Sequence, residues 1–268
     1  MNPDSGYALI TGGSSGIGYQ LARQFARRGY GLVLVASHPE TLTAASARLS
    51  AEFDVPVRAV AQDLSRPGAV SGLLGTLVDE SLDITVLVND AGVGCYGRFI
   101  ELDGDEELAM LQLNIIALTE LTRAFLGPMV ARGCGMILNV ASTAAFQPGP
   151  LMAAYYASKA YVLSLTEALA EETRGTGVTV GVLCPGPTAS GFQHRAGMDD
   201  SRLFDWGVMA AETVAEIGFR GIMTGQGLIV PGVRNRLLAA LSRVAPRRLV
   251  CKAVRMLQDR RLDPRRAA

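Results

Sequence analysis

Lysine is almost missing from this 268-residue chain: Lys159 is the only one before Lys252, although arginine occurs throughout. Histidine is equally scarce, with His38 and His194 alone, so a histidine-built zinc site is not expected and no metal is assigned. The four cysteines, Cys95, Cys134, Cys184 and Cys251, show no CxxC spacing. Their scatter argues against a thiolate metal cluster or a disulfide framework and suits small buried apolar residues in a reducing compartment. No uninterrupted apolar run reaches the ~20 residues that span a bilayer. The opening segment MNPDSGYALITGG lacks the basic stretch and long apolar run of a signal peptide. A cytoplasmic location is the resulting expectation.

What is present is a chain with 49% hydrophobic residues and 30 glycines, long enough for one large domain with a sizeable core. The formal net charge of zero hides an asymmetry. Residues 234–268 hold eleven Lys or Arg against two Asp or Glu, and residues 1–233 hold fourteen against twenty-three. The body is acidic and the tail strongly basic.

Short, continuous apolar runs alternate with longer helical segments. The runs Tyr7–Thr11, Leu32–Ala36, Val57–Ala61, Ile84–Asn89, Met136–Ala141, Val178–Leu183 and Leu228–Val230 read as strands covered on both faces. Helices are expected over Ile17–Arg28, Pro39–Glu52, Glu106–Ala131 and Met152–Arg174. This alternation predicts an α/β fold, a single doubly wound domain over residues 1–233 with a seven-stranded parallel sheet flanked by helices. Pro185–Ala211 breaks the rhythm and reads as a mobile loop, with a substrate lid at about 187–210. Residues 234–268 form a C-terminal helical extension split at Pro246.

The first strand runs into Thr11-Gly-Gly-Ser-Ser-Gly-Ile-Gly18 and then into a helix. Such a turn brings backbone N–H groups and the positive helix end against a pyrophosphate. Its spacing, Asn89-Asp90-Ala91-Gly92 after the fourth strand, Asn114, Ser142, Tyr155-x-x-x-Lys159 and Pro185-Gly186 occur in the order found in the classical short-chain dehydrogenase/reductase family, which residues 5–232 resemble. Asp90 stands where that family usually has a second Asn.

The resemblance implies a Rossmann-type NAD(P) site and an oxidoreductase acting on CH–OH and C=O groups. Lys159 lies one helical turn from both Tyr155 and Tyr156, so helical geometry alone leaves both open; the family pattern selects Tyr155. Tyr155 is then general acid or base, Ser142 a donor to the substrate oxygen, and Asn114 the holder of a relay water. Lys159 is expected to pull the phenol below its usual pKa near ~10 and to bond the nicotinamide ribose. Gly12, Ser14, Ser15, Gly16, Ile17 and Gly18 are expected at the pyrophosphate, and Asp63 and Leu64 at the adenine. Asn89, Ala91 and Gly92, with Pro185, Gly186, Thr188 and Ser190, complete the cofactor set.

The second strand ends Ser37-His38 with no acid before Glu40, so nothing there repels a 2′-phosphate, and NADP(H) is expected over NAD(H). A small hydrophobic carbonyl or alcohol is the expected substrate, met by Gly94–Phe99, Phe146–Met152 and the lid residues Phe192, Leu203, Phe204 and Trp206. Arg98, His194 and Arg195 are available there as polar contacts. The long helices imply a homodimer or homotetramer. In the tail, Leu249, Val250, Ala253, Val254 and Leu257 fall at helical spacing among basic residues, the pattern of a peripheral membrane contact, of a helix covering the pocket or of one packed on an acidic neighbouring subunit. Nucleic acid is not an expected partner, since the tail lacks aromatic stacking residues. The alternatives are a dinucleotide-binding sensor without turnover and a family member doing isomerisation or dehydration.

Overall fold

A seven-stranded parallel sheet forms the centre of the computed structural model, which describes residues 6–198 and 207–258. Its strands are β1 Tyr7–Thr11, β2 Gly31–Ala36, β3 Val57–Ala61, β4 Ile84–Asn89, β5 Gly135–Val140, β6 Val178–Leu183 and β9 Leu228–Ile229, in the order β3-β2-β1-β4-β5-β6-β9. Successive side chains of a strand point to opposite faces, and both faces here are dry. Ala8, Ile10, Leu32 and Leu34 enter one core cluster, while Leu9, Val33 and Val35 enter another. This is why the strands read as continuous apolar runs.

Helices α1 Gly16–Ala26, α2 Pro39–Glu52 and α8 Ala211–Met223 cover the first face through Phe25, Leu42, Leu49 and Phe219. Helices α3 Ala69–Asp79, α5 Leu118–Arg132 and α6 Ala153–Glu172 cover the second. Two of these six, α3 and α8, were not singled out from the sequence. Strand order reverses at β1, which pairs with β2 on one side and β4 on the other. A crevice outside the carboxyl ends of the strands is expected at such a switch point.

Where one helix was expected over 106–131, the chain forms α4 Gly104–Leu111, a π-helical turn Gln112–Ala117 and then α5. The continuous run Gly104–Arg132 is long and apolar enough to cross a bilayer by length and composition. Its Ala117, Leu121 and Met129, however, are packed in the core. The lid segment carries a short parallel pair, β7 Thr188–Ala189 with β8 Met209–Ala210, and the single turn α7 Phe192–Arg195. Leu203, Phe204 and Trp206 lie outside the described residues. The tail forms α9 Val233–Val244 and α10 Arg247–Gln258, parted at Pro246; residues 259–268 lie outside the described residues. All four cysteines are free, but only Cys184 is buried, and Cys134 is exposed.

Candidate active site

The carboxyl ends of the strands enclose a cleft of about 590 Å³, within the range of ligand pockets. At its floor the β1–α1 turn reverses the chain with Gly12 and Gly16 at φ +71 and +56. Ser15, at the N-cap of α1, makes no side-chain capping bond, leaving first-turn amides to a ligand. Gly12, Ser14, Ser15, Gly16 and Ile17 line the cleft. Gly18 is one layer behind; a Cβ there would lie 2.5 Å from the Gly12 carbonyl oxygen. It shapes the cradle. This glycine-lined turn and its open amides fit the pyrophosphate of a dinucleotide.

Ser37, His38, Asp63 and Leu64 line the same cleft. Ser37 Oγ and His38 Nδ1 are 2.9 Å apart, and no carboxylate stands at the end of β2. The Asp63 carboxylate accepts from Ser65 Oγ at 2.6 Å and from Ser65 N–H at 3.0 Å, which hold its pKa below the ordinary value. Ala91, Gly92, Pro185, Gly186, Thr188 and Ser190 also face the cleft. Asn89 does not. Its amide donates to Asn139 Oδ1 at 2.9 Å and to Thr122 Oγ1 at 3.1 Å, in a buried polar ladder across the sheet.

Tyr155, Tyr156 and Lys159 project from α6 toward Ser142, which follows β5. Ser142 stands close enough to Tyr155 to oppose the rise of its phenol pKa. The Tyr156 hydroxyl instead accepts from Gln258 Nε2 at 2.9 Å. Structure therefore separates two tyrosines that helical spacing could not. Asn114 stands outside the cleft wall. The π-helical turn aims its amide at the backbone of Val93, accepting N–H at 3.1 Å and donating to C=O at 2.9 Å, with a further bond to Ser158 Oγ at 3.1 Å. Gly92 lets Asn114 Oδ1 and Lys159 Nζ approach together, each 3.2 Å from where a Cβ would be.

The electrostatics correct one expectation. Lys159 does not lower the Tyr155 phenol; burial pushes that group up to about 12, with Ser142 opposing. The ammonium is turned to the Val140 carbonyl at 3.0 Å and stands 5.8 Å from the Tyr155 ring centroid. Burial lowers Lys159 to about 8, opposed chiefly by the Asp90 carboxylate. Asp90, in turn, is raised by burial to about 7, against the pull of Lys159, a hydrogen bond from Gly18 N–H and the charge of Arg195. Sequence reading noted Asp90 as a departure from the family's Asn but placed it in no role. Its charge is what the structure adds to the site.

Tyr155, Tyr156, Met152, Met198 and Ala196 form an apolar cluster that α10 joins through Val250 and Val254. Tyr96 Oη donates to the Gln258 carbonyl, so both ends of that side of the cleft are tied to the tail. Arg195 and Phe192 line the cleft as expected. Arg98 and Phe99 do not: Arg98 pairs with Glu101 at 3.3 Å and Phe99 is exposed. His194 is exposed, and Phe146 lies under Arg243, whose guanidinium is 5.2 Å from the ring centroid.

The short chain dehydrogenase family model matches residues 6–200. Over 182 residues the chain is 38% identical to 1-deoxy-11-beta-hydroxypentalenate dehydrogenase of Streptomyces exfoliatus, covering 67% of this chain and 66% of that enzyme. A short-chain dehydrogenase from Sphingobium yanoikuyae in complex with NADPH superposes with a TM-score of 0.80 at 34% identity, over 88% of this chain and 92% of that one. One from Burkholderia phymatum in complex with NAD gives a TM-score of 0.80 at 26% identity, over 90% and 94%. The chain belongs to the short-chain dehydrogenase/reductase family. It is an oxidoreductase with a nicotinamide dinucleotide site, of the kind acting on CH–OH and C=O groups.

Proposed function

We propose that the protein is an NADP(H)-dependent oxidoreductase that reduces a hydrophobic ketone or aldehyde to the alcohol and can also run the reverse, oxidising the alcohol to the carbonyl. The observation that carries this is that Ser142, Tyr155 and Lys159 line one cleft together with the glycine-rich phosphate cradle. When bound, the dinucleotide supplies or accepts the hydride. Tyr155 gives its proton to the substrate oxygen, and Ser142 donates a hydrogen bond to the same oxygen as negative charge develops there. At neutral pH the buried phenol holds the proton that reduction consumes. Lys159, in the same cleft as Tyr155, would hydrogen-bond the ribose of the bound dinucleotide. Asn114 acts from behind, holding the Gly92–Val93 backbone beside Lys159, with the remaining lone pair of Oδ1 available to a relay water.

Ser37 and His38 support the 2′-phosphate reading, since each can donate where a carboxylate would repel. The apolar cluster closed by α10 supports a bulky, hydrophobic carbonyl. Exposed Leu108, Ile116, Val130 and Tyr161 along the long helices support a homodimer or homotetramer. Four unpaired cysteines support the cytoplasm as compartment, and the basic tail supports a peripheral membrane contact. The test is steady-state turnover of bulky apolar ketones, followed by nicotinamide absorbance. A kcat/KM higher with NADPH than with NADH is expected. Equal or better use of NADH would sink the cofactor assignment, and no turnover of any carbonyl or alcohol would sink the function.

A further inference from the structure

The two tail helices present two kinds of surface. On α10 one side is used internally: Val254 is buried, and Gln258 is 0% exposed with its bonds to Tyr156 and Tyr96. The inner side of α9 is likewise held, by buried Ala239, by Asn235 Nδ2 donating to the Pro231 carbonyl at 2.8 Å and by Arg243 over Phe146. The other side of α9 is bare. Val233, Leu237, Leu241 and Val244 follow one another at helical spacing with Leu238 beside them, and Val244 is 81% exposed. On α10, Leu249 and Met256 also face outward. These seven are among only seventeen exposed large apolar side chains in the described residues.

Along the two helices the charge has one sign, although Arg243 meets Glu167 of α6 at 3.7 Å. Residues 233–258 contain Arg234, Arg236, Arg243, Arg247, Arg248, Lys252 and Arg255 and no Asp or Glu. We propose that this face of α9, with the outward edge of α10, seats the protein on an anionic lipid surface. The leucines and valines enter the acyl boundary while the arginines lie among the headgroups. The proposal rests on the peripheral contact read above and locates it. The sequence offers Leu249, Val250, Ala253, Val254 and Leu257 of α10 for that contact; of these Val250 and Val254 pack into the apolar cluster with Tyr155 and Met152, and Leu249 stays exposed.

Two other occupants fit less well. A second copy meeting this face by twofold symmetry would set the cation cluster against its own image, which is repulsive. The ten residues after Gln258 offer Leu262 as their only large apolar side chain.

The test is flotation of the full-length protein with vesicles of phosphatidylcholine alone and of phosphatidylcholine mixed with phosphatidylglycerol. Wild type should float with the anionic vesicles only, less so at high salt. Leu237→Glu/Leu241→Glu should partition at least about tenfold more weakly, because two exposed leucines no longer enter the acyl boundary. Its melting temperature and its turnover of a water-soluble ketone should be those of wild type. Equal flotation of the variant would overturn α9 as the surface while leaving the peripheral contact standing. Absence of flotation by wild type would overturn both. A drop in light-scattering mass in the variant would assign the face to a second copy instead.

Discussion

Positive charge does different work in the cleft and in the tail. In the cleft there is one lysine, 5% exposed, held by the Val140 carbonyl and opposed by one carboxylate, Asp90. Burial moves its pKa by a chemically useful amount, and that of Asp90 with it. In the tail the described cations are many and exposed, Arg243 included although it lies over Phe146, so that each is screened and individually worth little. There only their sum matters, as a field. The comparison teaches that the identity of a single charged residue counts where water is excluded, and the number of them counts where it is not.

The sharpest way to break that comparison is at the two tyrosines. Tyr155→Phe should lower kcat by about 10³-fold while Tyr156→Phe changes it only a few-fold, with circular dichroism unchanged in both. Equal losses would mean that hydroxyl position in the cleft does not select the acid. Next, Lys159→Arg keeps the charge and loses the compact ammonium, and kcat/KM should fall by about 10²-fold. Near-normal turnover would make the scarcity of lysine meaningless. A tail substitution on the docked side comes third. Val254→Asp should raise KM for a bulky ketone by about tenfold, since the charge cannot be buried against Tyr155 and Met152; a small ketone should be less affected.

The smallest effect expected is a shift in pH. Asp90 raises the pKa of Lys159, so Asp90→Asn should let the ammonium lose its proton below the present value of about 8. The alkaline fall of kcat/KM should then begin at lower pH in the variant than in wild type. An unmoved alkaline limb would remove Asp90 from any electrostatic role.

Much of this was legible in the residues. A strand covered on both faces is apolar at nearly every position, so the seven runs marked their own limits to within a residue or two. Gly12, Ser142, Tyr155 and Lys159 stand at the ends of strands or one helical turn apart, where local rules apply. What was not legible depended on partners distant in sequence. Gln112–Ala117 reads as ordinary helix, and the π-helical turn that aims Asn114 at Val93 has no local signature. Asn89 belongs to the same motif as Ala91, yet its side chain falls on the buried side of the sheet end. The bond of the Lys159 ammonium to the Val140 carbonyl is set across nineteen residues of chain.

By itself, the sequence determined the order of strands and helices, the phosphate-binding turn and the family of the enzyme, because each of these is encoded in spacing along one stretch of chain. Tertiary structure alone decided which apolar residues of the tail pack behind the cleft and which stay bare. It also decided which carboxylate faces the lysine. Periodicity shows that a helix has an apolar side; what that side meets depends on packing between elements far apart in the chain.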